Sequence, residues 1–185
     1  MNLDDASSVP SLHGNVLLAD PSLTDPHFRR TVLFVNGHTP DDGAEGYVLN
    51  RPLGKTVGDL TLSMETPDLN QVPVFVGGPV ATEHLVFATL QWQTGERKVA
   101  FSNRLSPAEA SARISEGFEV RAYVGHAGWA AGQLERELKQ SSWIPYLPDA
   151  RILKLLPNAM WRETLEFMSP WHSLLAMTPE DPSLN

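Results

Sequence analysis

Short apolar runs bounded by turn-forming residues recur along the first two thirds of the chain. Runs of this kind are typical of β-strands. The segment 118–124 alternates clearly, with Val120 and Ala122 on one face and Glu119 and Arg121 on the other, as a strand with one buried face does. The pattern predicts strands at Val16–Ala19, Thr31–Val35, Gly46–Leu49, Val72–Val76, Leu85–Thr89, Lys98–Phe101, Phe118–Val124 and Arg151–Leu155.

Three other segments carry the start and stop residues of helices. Ser106 and Glu109 have the spacing of a capping box, and Gly117 stands where a C-terminal cap belongs. The spacing of Leu134 and Leu138 predicts a second helix over residues 133–140. A third helix is predicted after Pro157, with Asn158 as its N-cap, a buried stripe of Trp161, Leu165 and Met168, and an end at Pro170.

The order of these elements predicts the fold class. Most predicted strands precede the first long helix, and strands do not alternate strictly with helices. A doubly wound parallel sheet needs that alternation, so the order favours an α+β fold with mainly antiparallel pairing and about three flanking helices. Because no linker or repeat divides the chain, we predict one domain over residues 14–177. The polar, acidic segments 1–13 and 178–185 are predicted to be flexible tails.

The composition and the net charge of the chain mainly exclude classes of function. The 185 residues include no cysteine, which excludes disulfides, iron–sulfur clusters, thiolate metal sites and cysteine nucleophiles. The net charge of −8 argues against direct binding to nucleic acid, because such binding draws on a basic face. The N-terminal segment lacks the features of a signal peptide, and no apolar stretch is long enough for a membrane span, so we expect a cytoplasmic protein.

Three motifs with known chemistry fall short of their patterns. Gly54-Lys55-Thr56 resembles the end of a phosphate-binding P-loop, but Leu49 stands where that loop needs its first glycine. The histidines show no metal-binding spacing, although His38 and His126 could still meet through the fold. No GxSxG segment marks a nucleophilic serine. The sequence therefore predicts no cofactor and no metal, and it leaves any catalytic residues unknown.

Two glycine-rich segments are more informative. Gly125–Gly132 is expected to lie between a strand and a helix, where a helix N-terminus offers N–H donors to an anion. Its interpretation stays open between a close-packed junction with Trp129 in the core and an anion or ligand site. Gly77-Gly78-Pro79 follows a predicted strand and indicates a sharp turn, or a close approach of a ligand or a second backbone.

Four phrases of the sequence together resemble one family, the AlgH/YqgE family of small bacterial proteins. They are Phe28–Val32, His38 followed by Gly43–Pro52, Val76–Val80, and Gly125–Leu138 with Trp143, in this order along the chain. The resemblance implies a single-domain α+β protein whose bifurcated β-sheet folds into a pseudo-barrel. The family name comes from a proposed role in regulating alginate synthesis, so the resemblance implies a regulator, with regulation of transcription as the expected level. It supplies no substrate, cofactor or catalytic residue.

Two functional hypotheses follow from the residues. The first is a non-catalytic binding or regulatory protein that recognises a small anionic ligand or a protein partner. The alternative is a hydrolase-type enzyme with a site assembled around His38, Asn50 and Arg51. The structure can discriminate a small-molecule site from a structural role. If His38, Asn50 and Arg51 line one concave pocket, a small-molecule site is favoured. If they only form hydrogen bonds to backbone groups in turns, their role is structural and a protein partner is favoured. The candidate ligand-binding residues are His38, Asn50, Arg51, Gly77, Gly78, Gly125, Gly128, Trp129 and Gln133.

Overall fold

The computed structural model describes residues 10–60 and 66–179, which form a curled sheet of nine strands with helices around it. Along the main path the strand order is β4-β5-β8-β3-β2-β1-β9, while β6 pairs with β8 and β7 pairs with β6. The strands are β1 Val16–Ala19, β2 Val32–Thr39, β3 Gly43–Val48, β4 Pro52–Thr56, β5 Pro73–Val76, β6 Val80–Gln93, β7 Lys98–Leu105, β8 Val120–Trp129 and β9 Trp143–Tyr146.

The sheet divides at β8. The first half of this strand pairs with β5 in parallel, from Val74 opposite Ala122 to Val76 opposite Val124. The second half pairs with β3 antiparallel, where Gly46 lies opposite Ala127. Every other pairing between the described strands is antiparallel. The prediction of a mainly antiparallel, bifurcated sheet in an α+β fold is therefore confirmed.

The helices cover the curled sheet and complete its core. The interior of the curl holds an aromatic cluster that includes Phe34, Tyr47 and Tyr123, and Trp161 and Leu165 of the last long helix pack against it. The described residues form five α-helices, more than the three predicted: α1 Val57–Leu60, α2 Pro107–Ser115, α3 Gln133–Lys139, α4 Pro157–Met168 and α5 Pro170–Ala176, with 3-10 helices at Pro67–Gln71 and Ala150–Lys154.

Several local predictions are confirmed and three are wrong. The capping box of α2 is present, with Ser106 accepting from the Glu109 N–H. The predicted strand Arg151–Leu155 is a 3-10 helix, because the Asp149 side chain accepts the Arg151 N–H at 2.8 Å and starts a helical turn. Asn158 is not an N-cap, since α4 already begins at Pro157. The segment Gly125–Gly132 is not a strand–helix junction throughout, because β8 continues to Trp129.

The ends of the chain are only partly within the described residues. Most of the two predicted tails, residues 1–9 and 180–185, lies outside them. Within the described part, Ser11 Oγ donates to the His38 carbonyl at 3.1 Å, and the Leu12 N–H donates to the His38 ring at 3.0 Å. Among the described helices, none has the length and apolar character that crossing a membrane requires.

Candidate functional site

A basic cavity opens where β2 begins and β3 ends. Arg29 and Arg30 precede β2, and Arg51 follows β3; because the two strands are antiparallel neighbours, these positions meet at one end of the pair. The first turns of α4 form the opposite wall. This arginine cavity has a volume of about 530 Å³ and is lined by Arg29, Arg30, Asn50, Arg51, Pro157, Asn158, Ala159, Trp161 and Arg162, with no carboxylate in that lining.

Asn50 and Arg51 hold the two chain segments of this wall together. The Asn50 Oδ1 accepts the Val32 N–H at 2.9 Å, and its Nδ2 donates to the Arg30 carbonyl at 3.0 Å. The Arg51 guanidinium donates to the Arg29 carbonyl at 2.5 Å. Both polar atoms of the Asn50 amide therefore form hydrogen bonds to the backbone. Arg51 uses one N–H donor for a backbone carbonyl, and its charged guanidinium lines the cavity.

Arg30 is fixed in position by two contacts on different elements. Its guanidinium lies 4.9 Å from the centre of the Trp161 ring, a cation–π contact, and it also donates to the carbonyl of Thr178 just after α5. Trp161 is itself anchored, because its indole N–H donates to the Ala19 carbonyl at 2.8 Å. The Arg30 guanidinium is therefore held in place by a buried tryptophan that is itself bonded to β1.

The N-terminus of α4 adds to the positive potential of the arginine cavity. Pro157 occupies the first turn, and the residue at the N-cap position, Leu156, has no side-chain acceptor for the N–H groups of that turn. The helix dipole makes such an end favourable for a negative charge, although the N–H groups of Ala159 and Met160 both donate to the Leu156 carbonyl. Arg162 follows one turn later with its side chain 61% exposed and a long 3.8 Å contact to Glu166.

A second cavity lies at the other end of β2 and β3, beside the branch of the sheet. This fork cavity has a volume of about 570 Å³. It contains three of the candidate ligand-binding residues, together with His126, and β2, β3 and β8 supply most of its wall. Its lining is Gly37, His38, Thr39, Asp42, Gly43, Ala44, Glu45, Val80, His126, Gly128 and Trp129.

His38 is a structural residue in this cavity wall. Its side chain is fully buried, Nδ1 accepts the Leu12 N–H at 3.0 Å, and Nε2 lies 2.9 Å from the Glu135 carboxylate. Because Nδ1 is an acceptor, the proton sits on Nε2 and is donated to Glu135. Burial acts to raise the pKa of Glu135, but the helix backbone N–H and the His38 ring outweigh it, and the pKa is lowered. Both ring nitrogens are therefore occupied in joining β2, α3 and residue 12.

Trp129 and Gln133 are engaged with one carboxylate. Glu137 Oε2 accepts the indole N–H of Trp129 and that of Trp143, both at 2.8 Å, while its Oε1 accepts from Gln133 at 2.9 Å. Trp129 is only 6% exposed and Trp143 only 4%. The sequence left Trp129 open between core and ligand site, and these contacts place it in the core, where Glu137 joins α3 to β8 and β9.

Glycines 77, 78 and 125 mark a crossing of two backbones. β5 and β6 both pair with residues 122–124 of β8, so they lie on opposite edges of it, and the link between them crosses over β8. A Cβ on Gly77 would lie 2.3 Å from the Gly125 carbonyl oxygen, and one on Gly78 would lie 2.3 Å from the His126 carbonyl carbon. The approaching group is a second backbone, one of the two alternatives that the sequence allowed. Gly128 borders the fork cavity, where a Cβ would make only ordinary contacts, with Val80 at 3.9 Å and His126 at 4.0 Å.

The structure therefore does not bring the residues of the hydrolase hypothesis together. Asn50 binds Val32 at the start of β2, while His38 lies six residues further along the same strand. At ~3.3 Å per residue the two ends of this stretch are about 20 Å apart, too far for one acid–base pair. Nor do the described residues contain a group of three or more His, Asp or Glu side chains placed to hold a metal ion.

Sequence reasoning identified part of the arginine cavity and missed the rest. Asn50 and Arg51 were among the candidates, whereas Arg29 and Arg30 appeared only within the family phrase Phe28–Val32 and Arg162 was not noted. Arg162 lies more than a hundred residues from Arg51, so only the fold shows that they share a cavity. The proline at the start of α4 was the one local signal, because it marks a helix N-terminus.

Comparison with known proteins identifies the family. A family model described as AlgH-like matches residues 16–172, which is most of the chain. The chain belongs to the AlgH-like family. Among the relatives of this AlgH-like protein, UPF0301 protein SCO2948 of Streptomyces coelicolor is 33% identical over an alignment covering 97% of this chain and 98% of the relative. UPF0301 protein azo3459 of Azoarcus sp. is 34% identical, with 80% of this chain and 83% of the relative covered.

Solved structures agree with this assignment. The solution structure of AlgH from Pseudomonas aeruginosa superimposes with a TM-score of 0.63 at 26% identity, covering 97% of this chain and 98% of that one. The crystal structure of protein DIP2367 from Corynebacterium diphtheriae gives a TM-score of 0.65 at 20% identity, with 92% and 93% covered, and shows the shared fold. The family resemblance that the sequence motifs indicated is confirmed for this AlgH-like protein.

Proposed function

We propose that this AlgH-like protein is a non-catalytic binding protein for a small anionic ligand, which it holds in the arginine cavity. One observation carries the proposal: four arginines surround a single cavity with no carboxylate in its lining, in a chain whose net charge is −8. Guanidinium groups bind phosphate and carboxylate through paired hydrogen bonds, which defines the ligand class.

A binding role also fits what the cavity lacks. Its lining contains no histidine, carboxylate, serine or threonine that would act as a base or nucleophile. We therefore assign regulation by ligand binding, and the cytoplasm predicted from the sequence would supply the anion. A direct regulator of transcription would need a broader basic face for the DNA backbone than this single cavity offers.

The test is a thermal-shift series on the purified protein with anionic metabolites. A ligand at 100 times its Kd stabilises the folded state by about 2.7 kcal/mol. For a domain of this size that energy raises the midpoint of unfolding by about 5–10 °C. We expect such a shift with at least one phosphorylated or carboxylated compound, and we expect Arg162→Ala to reduce it, because each charge-assisted hydrogen bond contributes about 1.5–3 kcal/mol.

Arg113→Ala is the matched control. Arg113 lies on α2, outside the arginine cavity, and like Arg162 it is an exposed helical arginine with a carboxylate, Glu116, one turn away. Both variants change the net charge equally. The proposal fails if the unsubstituted protein gives no shift with any anion, or if the two variants weaken the shift to the same extent.

Contact with a protein partner stays a prediction of the sequence. The observation that bears on it is the outer face of α5, where Trp171 is 66% exposed and Leu174 is 59% exposed. The spacing of three residues places both side chains on one face of the helix. The sequence of α5 contains no Asp, Glu, Lys or Arg, so this face would accept an apolar surface without burying a charge.

A further inference from the structure

We infer that the anion of the arginine cavity carries an aromatic ring close to its phosphate or carboxylate, and that this ring lies in a smaller cavity that adjoins the first at Arg51. The inference rests on the proposed function, because it names the kind of compound that the same site takes. The smaller cavity, which we call the proline cavity, has a volume of about 210 Å³. Besides Arg51 it is lined by Pro26, His27, Val48, Pro52, Val76 and Gly78.

Arg51 is the residue that the two cavities share. The chain on either side of it divides between them, with Asn50 in the lining of the arginine cavity and Pro52 in that of the proline cavity. The segment before β2 divides in the same way, since His27 lines the proline cavity and Arg29 lines the arginine cavity. One ligand bound at Arg51 can therefore extend into both cavities.

The guanidinium of Arg51 suits both parts of such a ligand. It uses one N–H donor for the Arg29 carbonyl, at 2.5 Å, and its side chain has no other partner among the described residues. A guanidinium carries five N–H donors in one plane, so donors remain for an anion at the edge of that plane. The face of the same plane attracts an aromatic ring. Because edge and face belong to one group, we expect the ring to be joined to the anion directly or through a short link.

The rest of the proline cavity offers apolar contacts to a flat group. Val48 is 1% exposed and Val76 is half-buried, so they form the deep side of the cavity. Pro26, His27 and Pro52 are exposed and form its edge, where each contributes the face of a ring. The lining contains no carboxylate, and Arg51 would repel a cation, so an uncharged ring fits better than a cationic one.

The volume of the proline cavity indicates that it takes part of a ligand. Whole small-molecule sites usually measure ~300–1,000 Å³, and the arginine cavity, at about 530 Å³, falls within this range. The proline cavity, at about 210 Å³, falls below it. It therefore suits a single ring system that is attached to the group bound next door, and not a second ligand.

Hydrogen bonds to the main chain hold the walls of the proline cavity in place before a ligand binds. On one wall, the Val76 N–H donates to the Arg51 carbonyl at 2.8 Å. On the other, the His27 N–H donates to the Asp25 side chain at 2.8 Å and fixes the turn that carries the histidine. Walls that are already ordered lose little conformational freedom on binding, so more of the contact energy appears as affinity.

NMR titrations of the methyl signals, at constant pH and ionic strength, test this inference. Phenyl phosphate and methyl phosphate share one anionic group, and benzoate and acetate repeat the comparison for a carboxylate. We expect the aromatic member of at least one pair to bind about ten-fold more tightly, because its ring leaves water and contacts the Arg51 guanidinium. Cyclohexyl phosphate should bind less tightly than phenyl phosphate, and phenol, which has the ring without the anion, should not bind measurably.

The same spectra show where the ring lies. An aromatic ring shifts the signals of methyl groups close to its face. Phenyl phosphate should therefore shift the methyl signals of Val48 and Val76 more than methyl phosphate does. The methyl signals of Val99, on β7 and outside both linings, should not respond to either compound.

Two variants and one control connect the preference to the proline cavity. His27→Ala removes a ring from the edge of the cavity, so it should weaken phenyl phosphate binding more than methyl phosphate binding. Arg51→Lys keeps the charge but loses the planar group, so it should also lower the ratio of the two affinities. His84→Ala is the matched control, because His84 is an exposed histidine on β6 outside both linings, and this variant should bind both compounds as the unsubstituted protein does.

Each contrary result has its own meaning. If the two members of each pair bind equally tightly, or if the thermal-shift series yields an anion while neither aromatic compound binds, the ring inference is wrong and anion binding stands. Cyclohexyl phosphate binding as tightly as phenyl phosphate would overturn the aromatic character of the group. Tighter binding of phenyl phosphate without shifts at Val48 and Val76 would overturn the assignment to the proline cavity. If no anion of either series binds, the proposed function itself fails.

Discussion

The two ends of the β2–β3 pair use polar residues in opposite ways. At the fork cavity, the notable side chains are already engaged within the protein: both ring nitrogens of His38 have partners, and the Trp129 indole donates to Glu137. At the arginine cavity, several positive charges face one open volume with no carboxylate in its lining. The contacts at the first end hold the fold together, and the second end is where we propose that an anion binds.

This difference shows what the recognisable motifs of the family encode. The glycine-rich phrases supply the backbone crossing, and the segment Gly132–Glu137 supplies the carboxylate that accepts the two buried indole N–H groups. These motifs therefore specify how β8 is packed. The residues of the proposed anion site do not cluster in the sequence, because they come from three separate segments. Substitutions at the fork should therefore reduce stability, whereas substitutions in the arginine cavity should reduce binding.

The largest expected effect is at the backbone crossing. In Gly78→Ala the new Cβ would lie 2.3 Å from the His126 carbonyl carbon and 2.4 Å from the Ala127 nitrogen, and φ at this position is +154°. Neither backbone can move without disturbing the pairing of β8, so we expect the free energy of unfolding to fall by about 3 kcal/mol or more. Urea unfolding followed by tryptophan fluorescence measures it.

Gly95→Ala is the control for the same chemical change. A Cβ at Gly95, in the turn between β6 and β7, would meet no atom within 4 Å. Its free energy of unfolding should stay within about 0.5 kcal/mol of that of the unsubstituted protein. A loss below about 1 kcal/mol in Gly78→Ala would show that the crossing is less tight than the geometry indicates. The residues at the fork cavity would then contribute less to stability than the comparison with the arginine cavity requires.

A smaller loss is expected at Glu137. In Glu137→Ala the indole N–H groups of Trp129 and Trp143 lose their acceptor while the two side chains stay buried. Each unsatisfied buried donor costs about 1–3 kcal/mol, and water reaching one of them would lower the total, so we expect a loss of about 2–4 kcal/mol. Chemical denaturation measures it, and the ligand affinity of the folded fraction should be unchanged.

Glu83→Ala serves as the comparison for Glu137. The Glu83 side chain is 70% exposed, and its one ion pair within the described residues is with the ring of the neighbouring His84. Removing it should change the free energy of unfolding by less than about 0.5 kcal/mol. Equal effects in the two variants would mean that Glu137 is not the centre of a buried hydrogen-bond cluster.

Sequence patterns were sufficient for elements whose signals are local. The capping box at Ser106 and the alternation in 118–124 depend on neighbouring residues, and they correspond to α2 and β8. The prediction of only one buried face in 118–124 is wrong, because Arg121 on the other face is also buried, under Phe75 and beside Glu119. The sequence missed β9, because Trp143–Tyr146 is short and contains a proline, and it becomes a strand only by pairing with β1. The sequence missed the extension of β8 to Trp129 for the same reason. Gly125 and Gly128 indicate a turn in the sequence alone, and the segment is a strand because it pairs with β3.

The candidate site was predictable only in part. Arg51 stood out because it belongs to a family phrase, but the grouping of Arg51 with Arg162 depends on how α4 packs against the end of β3. His38 and Trp129 also stood out, although their hydrogen bonds go to Glu135 and Glu137 inside the protein. A single sequence shows which residues are unusual, and the fold decides whether they serve packing or binding.

The smallest expected effect on stability is in the arginine cavity, and it is the sharpest test of the comparison. Arg162→Ala removes an exposed side chain whose one ion-pair contact, to Glu166, is 3.8 Å long. It also removes one of several like charges near the N-terminus of α4, where a positive charge is unfavourable. The two changes oppose each other, so we expect the free energy of unfolding to change by no more than about 0.5 kcal/mol, in either direction, in chemical denaturation without added anions. A loss of 2 kcal/mol or more would place Arg162 among the residues that stabilise the fold. The two ends of the β2–β3 pair would then contain different residues but would both serve stability.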